Sequence, residues 1–132
     1  TGIVLEGEIY HGAHDPEGGH MRIAAEGVSE ELETAASGRA LKRRFGKYGY
    51  QITDPKIWDE ISRYLAISLV NSTVHWTPDI IVLGGSVAQS IPLQKVNAYL
   101  KEFLTIYPTA PQVVLGTLGH DAGLYGALEL LK

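Results

Sequence analysis

Three side chains in the first third of the chain have the chemistry to bind a ligand rich in hydroxyl groups. Glu17 and His20 stand three residues apart in a polar stretch, and Glu33 follows in a helical one. A carboxylate accepts hydrogen bonds from two hydroxyls, and a neutral imidazole offers one donor and one acceptor. The group could therefore bind a sugar. The spacing alone fits solvated loop residues and a helix-face acid equally well.

The same polar stretch also permits a metal-binding interpretation. His11, His14, Asp15 and His20 supply imidazole and carboxylate groups, which suit zinc, nickel or iron. Their spacing matches no established ligand pattern, so this is the weaker interpretation and no metal site is predicted. The sequence contains no cysteine, which excludes a disulfide framework, a thiolate zinc site and a cysteine nucleophile.

A glycine pair marks a second candidate site. Gly84 and Gly85 follow a short unbroken apolar run at residues 80–83, which predicts a strand buried on both faces of a parallel sheet. Ligands bind at the carboxyl ends of such strands, and missing side chains let a nucleotide approach the backbone. Taken alone the pair is a weak signal, because two glycines also simply permit a tight turn into the next helix.

The first half of the chain predicts two strands, a loop and two helices. Residues 2–10 predict two short strands joined by a tight turn at Gly7, and residues 11–21 a polar loop. Helix-forming residues then follow Ser29, which is a plausible N-cap, and Gly38 is an interior weak point that divides this stretch into two helices.

The second half predicts a β-α-β unit between two further helices. Asp54-Pro55 is a helix start signal, and the helix after it is expected to be central and buried, with Trp58, Ile61, Leu65 and Leu69 at helical spacing. After the strand at 80–83 come a helix with Leu93, Val96, Leu100 and Leu104 on one stripe, a strand at 113–115 and a closing helix at 121–132. The order indicates an α/β fold with a mixed sheet flanked by helices.

Composition excludes several classes of protein. A chain of 132 residues with 45% hydrophobic and 20% charged residues fits one globular domain. The net charge of −4 gives no basic footprint for nucleic acid, and Lys42-Arg43-Arg44 is interpreted as a solvated helix face. No apolar run approaches the roughly 20 residues that span a bilayer, and no signal pattern is present, which predicts a cytoplasmic protein.

Taken together, the motifs resemble the ROK family of sugar kinases and repressors along nearly the whole chain. Five segments match in the family's order: Gly2-Ile3-Val4 with Gly7 and Gly12, Glu17-Gly18-Gly19-His20-Met21, residues 33–41 (ETAASGRAL), residues 78–87 (PDIIVLGGSV) and residues 121–127 (DAGLYGA). Each motif alone is modest. Their common order makes coincidence improbable.

The resemblance implies an actin-like, ribonuclease-H-type fold in which ATP and a hexose or amino-hexose meet between two lobes. The chain at residues 1–132 would be the C-terminal lobe. Glu17, His20 and Glu33 would bind sugar hydroxyls, and Gly2, Gly84 and Gly85 would border the nucleotide. The general-base aspartate would precede Thr1, and Mg²⁺ would accompany ATP. Because base and phosphate loop lie elsewhere, this lobe should not turn over alone.

One departure from the family pattern concerns zinc. In many members the motif histidine, here His20, ligates a structural zinc with three cysteines that lie before the next glutamate. Residues 22–32 hold no cysteine and form a shortened interval, so no zinc is expected. The orientation of His20 is then left to hydrogen bonding and packing.

The leading hypothesis is that the full-length protein is a glucokinase-like, ATP-dependent hexose kinase. The alternative is a ROK-type repressor that senses a sugar here and binds DNA through an upstream helix-turn-helix domain. A third hypothesis is a degenerate lobe that only mediates association, because members of the family commonly form dimers and this chain retains the helices that would pack. In the two-lobe fold that the resemblance implies, the closing helix, with Leu124, Leu128 and Leu131, packs against the other lobe. Here it is expected to be loosely held, to pack on its own lobe, or to bury itself in a partner chain.

Overall fold

The computed structural model describes residues 1–25, 27–129 and 131. Its strands and helices follow in the order β1 (Val4–Leu5), β2 (Glu8–Ile9), β3 (Arg22–Ala25), β4 (Val28–Glu31), α1 (Leu32–Ala36), α2 (Gly38–Phe45), α3 (Pro55–Trp76), β5 (Ile80–Leu83), α4 (Leu93–Phe103), β6 (Gln112–Leu115) and α5 (Ala122–Glu129). The predicted α/β class is confirmed. The strands form three separate two-stranded sheets among these residues, and not one continuous mixed sheet.

The N-terminal hairpin is the one that the sequence predicts. Strands β1 and β2 pair antiparallel with Val4 opposite Ile9. The two residues between the strands, Glu6 and Gly7, both have positive φ, 53° and 88°. Two successive positive φ values are typical of the tight hairpin turns whose twist matches that of the strands.

A second hairpin, β3–β4, occupies the stretch where the sequence analysis placed a helix start. Ser29 is paired with Ala24 in this hairpin, so its prediction as a helix N-cap is wrong. The physical reason is packing: Ile23 of β3 is 1% exposed and contacts Ala35 and Tyr64, which outweighs the helix propensity of the glutamates in β4.

Helices α1 and α2 confirm the prediction of two short helices. Their junction lies at Ser37, whose hydroxyl accepts a hydrogen bond from the amide of Ala40 at 3.1 Å and so caps α2. Gly38 is thus the first residue of α2 and not an interior weak point. The apolar side of α2 is buried through Leu41, which packs in a cluster with Ile52, Trp58 and Ile61.

Helix α3 is the central element, as predicted. Asp54 caps it by accepting a hydrogen bond from the amide of Lys56 at 2.9 Å, and Pro55 is its first residue. One part of the helix packs against α2, and another packs against α4 through Leu69. The side chains of residues 64–70 are all buried or partly buried, which agrees with their nearly uninterrupted apolar character.

Strands β5 and β6 pair in parallel, with Leu83 opposite Leu115. Ile81, Leu83 and Val113 pack on a core that α4 supplies through Val96 and Leu100. The predicted burial of β5 on both faces is wrong, because Ile80 and Val82 are 55% and 61% exposed. Their side of the two-stranded sheet is not covered by the part of the chain that the structure describes.

The closing helix α5 is exposed. The prediction covered residues 121–132, of which Leu130 and Lys132 lie outside the described residues, and the helix spans Ala122–Glu129. Leu124 and Leu128 are 67% and 59% exposed, and no residue of the helix is buried. The alternative in which this helix packs on its own lobe is therefore wrong, and the loosely held and partner-bound alternatives stay predictions.

Candidate functional site

One cleft of about 380 Å³ brings the two predicted halves of the site together. Its lining includes Gly19 and Glu33 from the first half of the chain, together with Gly84, Gly85 and Ser86 after β5. The remainder of the lining is mostly apolar and includes Leu32, Ala36, Ile61, Leu65, Leu83, Val87 and Ile91. The cleft thus combines a few polar groups with an apolar surface, which is the usual character of a small-molecule site.

His20 is held by a short 3-10 turn that spans Gly18–His20. The backbone amide of His20 donates to the carbonyl of Glu17 at 3.0 Å. The turn is attached to its surroundings at both ends: the amide of Gly18 donates to the hydroxyl of Thr1 at 2.9 Å, and the amide of Leu32 donates to the carbonyl of Met21 at 3.0 Å. These contacts place His20 beside the start of α1.

The ring of His20 lies between two carboxylates. Its Nδ1 is 2.9 Å from Oε2 of Glu31, and its Nε2 is 3.9 Å from Oε2 of Glu33. The hydrogen bond with Glu31 raises the pKa of His20 above its ordinary value of 6.5, and the negative charges of Glu31, Glu33 and Glu17 act in the same direction. His20 and Glu33 are therefore brought together as predicted, with Glu17 within electrostatic range.

Two of the predicted site residues, Glu17 and Gly2, are exposed. Glu17 is exposed, and its described contribution to His20 is electrostatic. Gly2 is exposed and does not line the cleft, and a Cβ atom on it would meet no atom within 4 Å. Its neighbour Thr1 is the residue that contacts the turn Gly18–His20, by accepting the hydrogen bond from the amide of Gly18.

The short helix that carries Glu33 is supported at its carboxyl end by two arginines of α2. Arg43 donates to the carbonyl of Thr34 at 2.7 Å, and Arg44 donates to the carbonyl of Ala35 at 2.6 Å. Arg44 also forms an ion pair with Glu60 of α3. The basic cluster is thus more than the solvated helix face that the sequence analysis expected, because its guanidinium groups satisfy carbonyls at the end of a helix.

The turn after β5 adopts a backbone conformation that favours glycine. Gly85 has φ of 91°, a conformation that side chains rarely adopt. A Cβ atom on Gly84 or Gly85 would meet no protein atom within 4 Å, so a side chain there would occupy open space beside the backbone. The turn therefore exposes backbone to the cleft, as the close approach of a nucleotide requires.

Sequence reasoning missed two parts of the site. A neighbouring cavity of about 300 Å³ is lined by Gly85, Ser86, Gln89, Gly116, Thr117 and Gly119, so the turn after β6 joins the turn after β5. The signal was available, because the carboxyl ends of paired parallel strands meet at one edge. Glu31 was also missed, since it becomes a partner of His20 only through the β3–β4 hairpin.

The residues present do not fit the cysteine-ligated zinc site that the family resemblance implies for many members. The sequence has no cysteine, and Nδ1 of His20 faces a carboxylate. Within residues 1–25, 27–129 and 131, no group of three or more histidine, aspartate or glutamate side chains is arranged to hold a metal ion. His11 and His14 are exposed in the preceding loop.

Comparison with known proteins identifies the family. The model of the ROK family matches residues 1–132. The chain belongs to the ROK family. It is 32% identical to a fructokinase of Pediococcus pentosaceus, over all of this chain and 51% of that protein. The chain therefore spans about half the length of the curated relatives it matches.

Solved structures of ROK proteins have the same fold. A ROK hexokinase from Thermus thermophilus superposes with a TM-score of 0.76 at 29% identity, over 98% of this chain and 54% of that one. A ROK family protein from Streptococcus pneumoniae, solved with sucrose, gives 0.78 at 27% identity, over 96% and 52%. The predicted actin-like ATPase fold is thereby confirmed.

None of the helices in the described residues is both long and apolar enough to cross a membrane.

Proposed function

We propose that residues 1–132 form the C-terminal lobe of an ATP-dependent hexose kinase whose N-terminal lobe carries the general base and the first phosphate loop. In this proposal the lobe supplies the sugar-hydroxyl contacts and the adenosine side of the cleft. Fructose and glucose are the first substrates to test, because the relative from Pediococcus pentosaceus is named a fructokinase and the neighbour from Thermus thermophilus a hexokinase.

The observation that carries the proposal is the shared cleft. Glu33 and Gly19, beside His20, line the same cavity as Gly84 and Gly85. A kinase must hold a phosphate donor and an acceptor hydroxyl in one place, since phosphoryl transfer depends mainly on positioning and charge stabilisation. A lobe that only mediates association would not require polar sugar-side groups and an open glycine turn in one cavity.

On the sugar side, Glu17, His20 and Glu33 would bind and orient the substrate. Glu33 offers a carboxylate in the cleft, and Nε2 of His20 lies close to it. Hydrogen bonds to charged groups contribute roughly 1.5–3 kcal/mol when well formed, which is enough to fix a hydroxyl. These groups would hold the sugar so that its reacting hydroxyl faces the other lobe.

On the nucleotide side, the two glycine turns would contact ATP. ATP supplies the phosphoryl group that the sugar hydroxyl receives, and Mg²⁺ offsets its charge. Gly84 and Gly85 would border the adenosine through their exposed backbone, and Gly2 would lie toward the phosphates. Gly116 and Thr117, at the end of the paired strand, extend this surface.

Isothermal titration of the full-length protein with fructose, glucose, mannose and N-acetylglucosamine, with and without a non-hydrolysable ATP analogue, tests the proposal. We expect heat with at least one sugar, and at least tenfold weaker sugar binding in Glu33→Gln. Glu102→Gln is the matched control, because Glu102 is an exposed carboxylate of α4 that does not line the cleft. Absence of heat with every sugar would refute the proposal.

The repressor alternative is separated by the sequence that precedes Thr1. A phosphate loop there supports the kinase, and a helix-turn-helix domain supports a sugar-sensing regulator. The association hypothesis predicts that Glu17→Ala leaves the protein's biological activity unchanged, whereas the kinase hypothesis predicts weaker sugar binding. A homo-oligomer in the cytoplasm remains part of the proposal, and analytical ultracentrifugation of the full-length protein measures its oligomeric state.

A further inference from the structure

Glu31 contacts His20 beside the cleft, and neither of these two residues is part of the cleft lining. Its Oε2 lies 2.9 Å from Nδ1 of the ring, and its side chain is 39% exposed. We propose that Glu31 is a positioning residue that fixes the ring orientation and tautomer of His20, so that Nε2 is presented to the ligand as a hydrogen-bond acceptor. The inference extends the proposed function, because it concerns how the same site recognises a sugar.

The backbone holds Glu31 in place relative to the ring. Glu31 is the last residue of β4 and is paired with Arg22, two residues after His20. The next residue, Leu32, donates its amide hydrogen to the carbonyl of Met21 at 3.0 Å. Hydrogen bonds thus tie the segment after His20 to the segment around Glu31, which sets the distance between the two side chains.

The chemistry of the contact determines the tautomer. A carboxylate has only acceptor positions, so the ring nitrogen that faces Glu31 must carry the hydrogen. In the neutral ring the other nitrogen, Nε2, then has a free lone pair. The ring is 59% exposed, so packing alone leaves it free to turn, and Glu31 is the described contact that selects one orientation.

The result is a pair of acceptors suited to a diol. Nε2 of His20 and Oε2 of Glu33 are 3.9 Å apart, which is too far for a good direct hydrogen bond. Two neighbouring hydroxyls of a sugar could each donate to one of them. A sugar that lacks one of these hydroxyls would leave one acceptor unpaired, so the arrangement favours an intact vicinal diol over its deoxy analogue.

The tautomer of His20 can be measured in the full-length protein without any ligand. Long-range ¹H–¹⁵N correlation spectra distinguish a protonated Nδ1 from a protonated Nε2. We expect the Nδ1–H form at pH above the pKa of His20 in the wild type and in Glu31→Gln, whose amide oxygen still accepts. We expect Glu31→Ala to change to a mixture that includes the Nε2–H form. Glu30→Gln, the same change one residue earlier on the opposite face of β4, should leave the tautomer unchanged.

Sugar binding provides the second measurement. Glu31→Ala should raise the KM for the sugar by about tenfold with kcat within about twofold, and Glu31→Gln should restore most of the loss. A purely structural role would lower the melting temperature without changing the tautomer. If Glu31→Ala does not fold, the wild type and Glu31→Gln still decide the question.

A wild-type ring that is protonated on Nε2, or an Ala variant with the wild-type tautomer, would overturn the proposal. The proposed function fails by a different result, namely a wild type that binds no sugar. These two results are independent, since the tautomer is measured in the absence of ligand.

Discussion

The substitution Leu41→Ala tests the packing of α2 against α3. Leu41 is fully buried in α2, where it packs in a cluster with Ile52, Trp58 and Ile61. The change removes three carbon atoms, which corresponds to about 2.4 kcal/mol of transfer free energy at roughly 0.8 kcal/mol for each. The remaining cavity adds to this loss, and buried Leu→Ala changes cost about 2.7–5.0 kcal/mol. We expect the free energy of unfolding to fall by about 3 kcal/mol.

Urea denaturation followed by tryptophan fluorescence measures the loss. The chain has two tryptophans, and Trp58 reports directly on the cluster that contains Leu41. With a slope of about 2 kcal/mol/M, the midpoint should fall by about 1.5 M. Ile106→Ala is the control, because it also removes three carbons but from a side chain that is 69% exposed, and it should cost less than about 0.5 kcal/mol. Equal losses for the two variants would refute the reasoning.

Three further predictions concern the site and its supports. Ser37→Ala removes the cap of α2 and should lower the free energy of unfolding by about 1 kcal/mol in the same assay, whereas Ser37→Asp should retain most of it. Histidine NMR titration should give His20 a pKa above 6.5, and this pKa should fall in Glu31→Ala. Because the pKa is raised in the folded state, the contact with Glu31 stabilises the fold fully below about pH 6.5. That contribution is lost as the pH rises through the folded-state pKa. Gly85→Ala places a side chain at a backbone φ of 91°, which strains the turn, and should weaken ATP binding measured by calorimetry. An unchanged affinity for ATP would contradict the proposed nucleotide role of this turn.

The position of the glycine turn after β5 was easier to predict from sequence than the arrangement around His20. Parallel strands that are joined by a helix place their carboxyl ends at the same edge, so the strand pattern placed Gly84 and Gly85 at a candidate ligand site, although the pair alone was a weak signal. The same rule would have located Gly116 and Thr117, since β6 is the partner of β5. Topology, which the sequence pattern specifies well, is sufficient here.

The sugar side depends on a local pairing that the sequence signals weakly. The stretch Val28–Glu31 is rich in glutamate and precedes a helix, so its residues favour helix by propensity while the structure makes them a strand. Burial of Ile23 against Ala35 and Tyr64 decides the outcome, and this is a tertiary contact. The position of Glu31 beside His20 follows from that contact and could not be predicted from spacing.

The exposure of β5 shows a similar dependence on context. An unbroken apolar run indicates a strand covered on both faces, yet Ile80 and Val82 are exposed while Ile81 and Leu83 pack on the core. The large apolar side chains of α5 are also exposed. Since the chain spans about half of the relatives it matches, these surfaces are the ones that the proposed N-terminal lobe would cover.

The junction between the two halves of the cleft explains the presence of Gly38, although glycine has a low helix propensity. Because glycine favours helix poorly, Gly38 was predicted to be a weak point inside a helical stretch. In the structure a Cβ atom on Gly38 would lie 3.3 Å from Cγ2 of Val87, two residues after Gly85. The missing side chain lets the start of α2 approach the segment after the glycine turn closely. Gly38 and Val87, which both line the cleft, are therefore closely packed, so a larger side chain at position 38 should displace Val87.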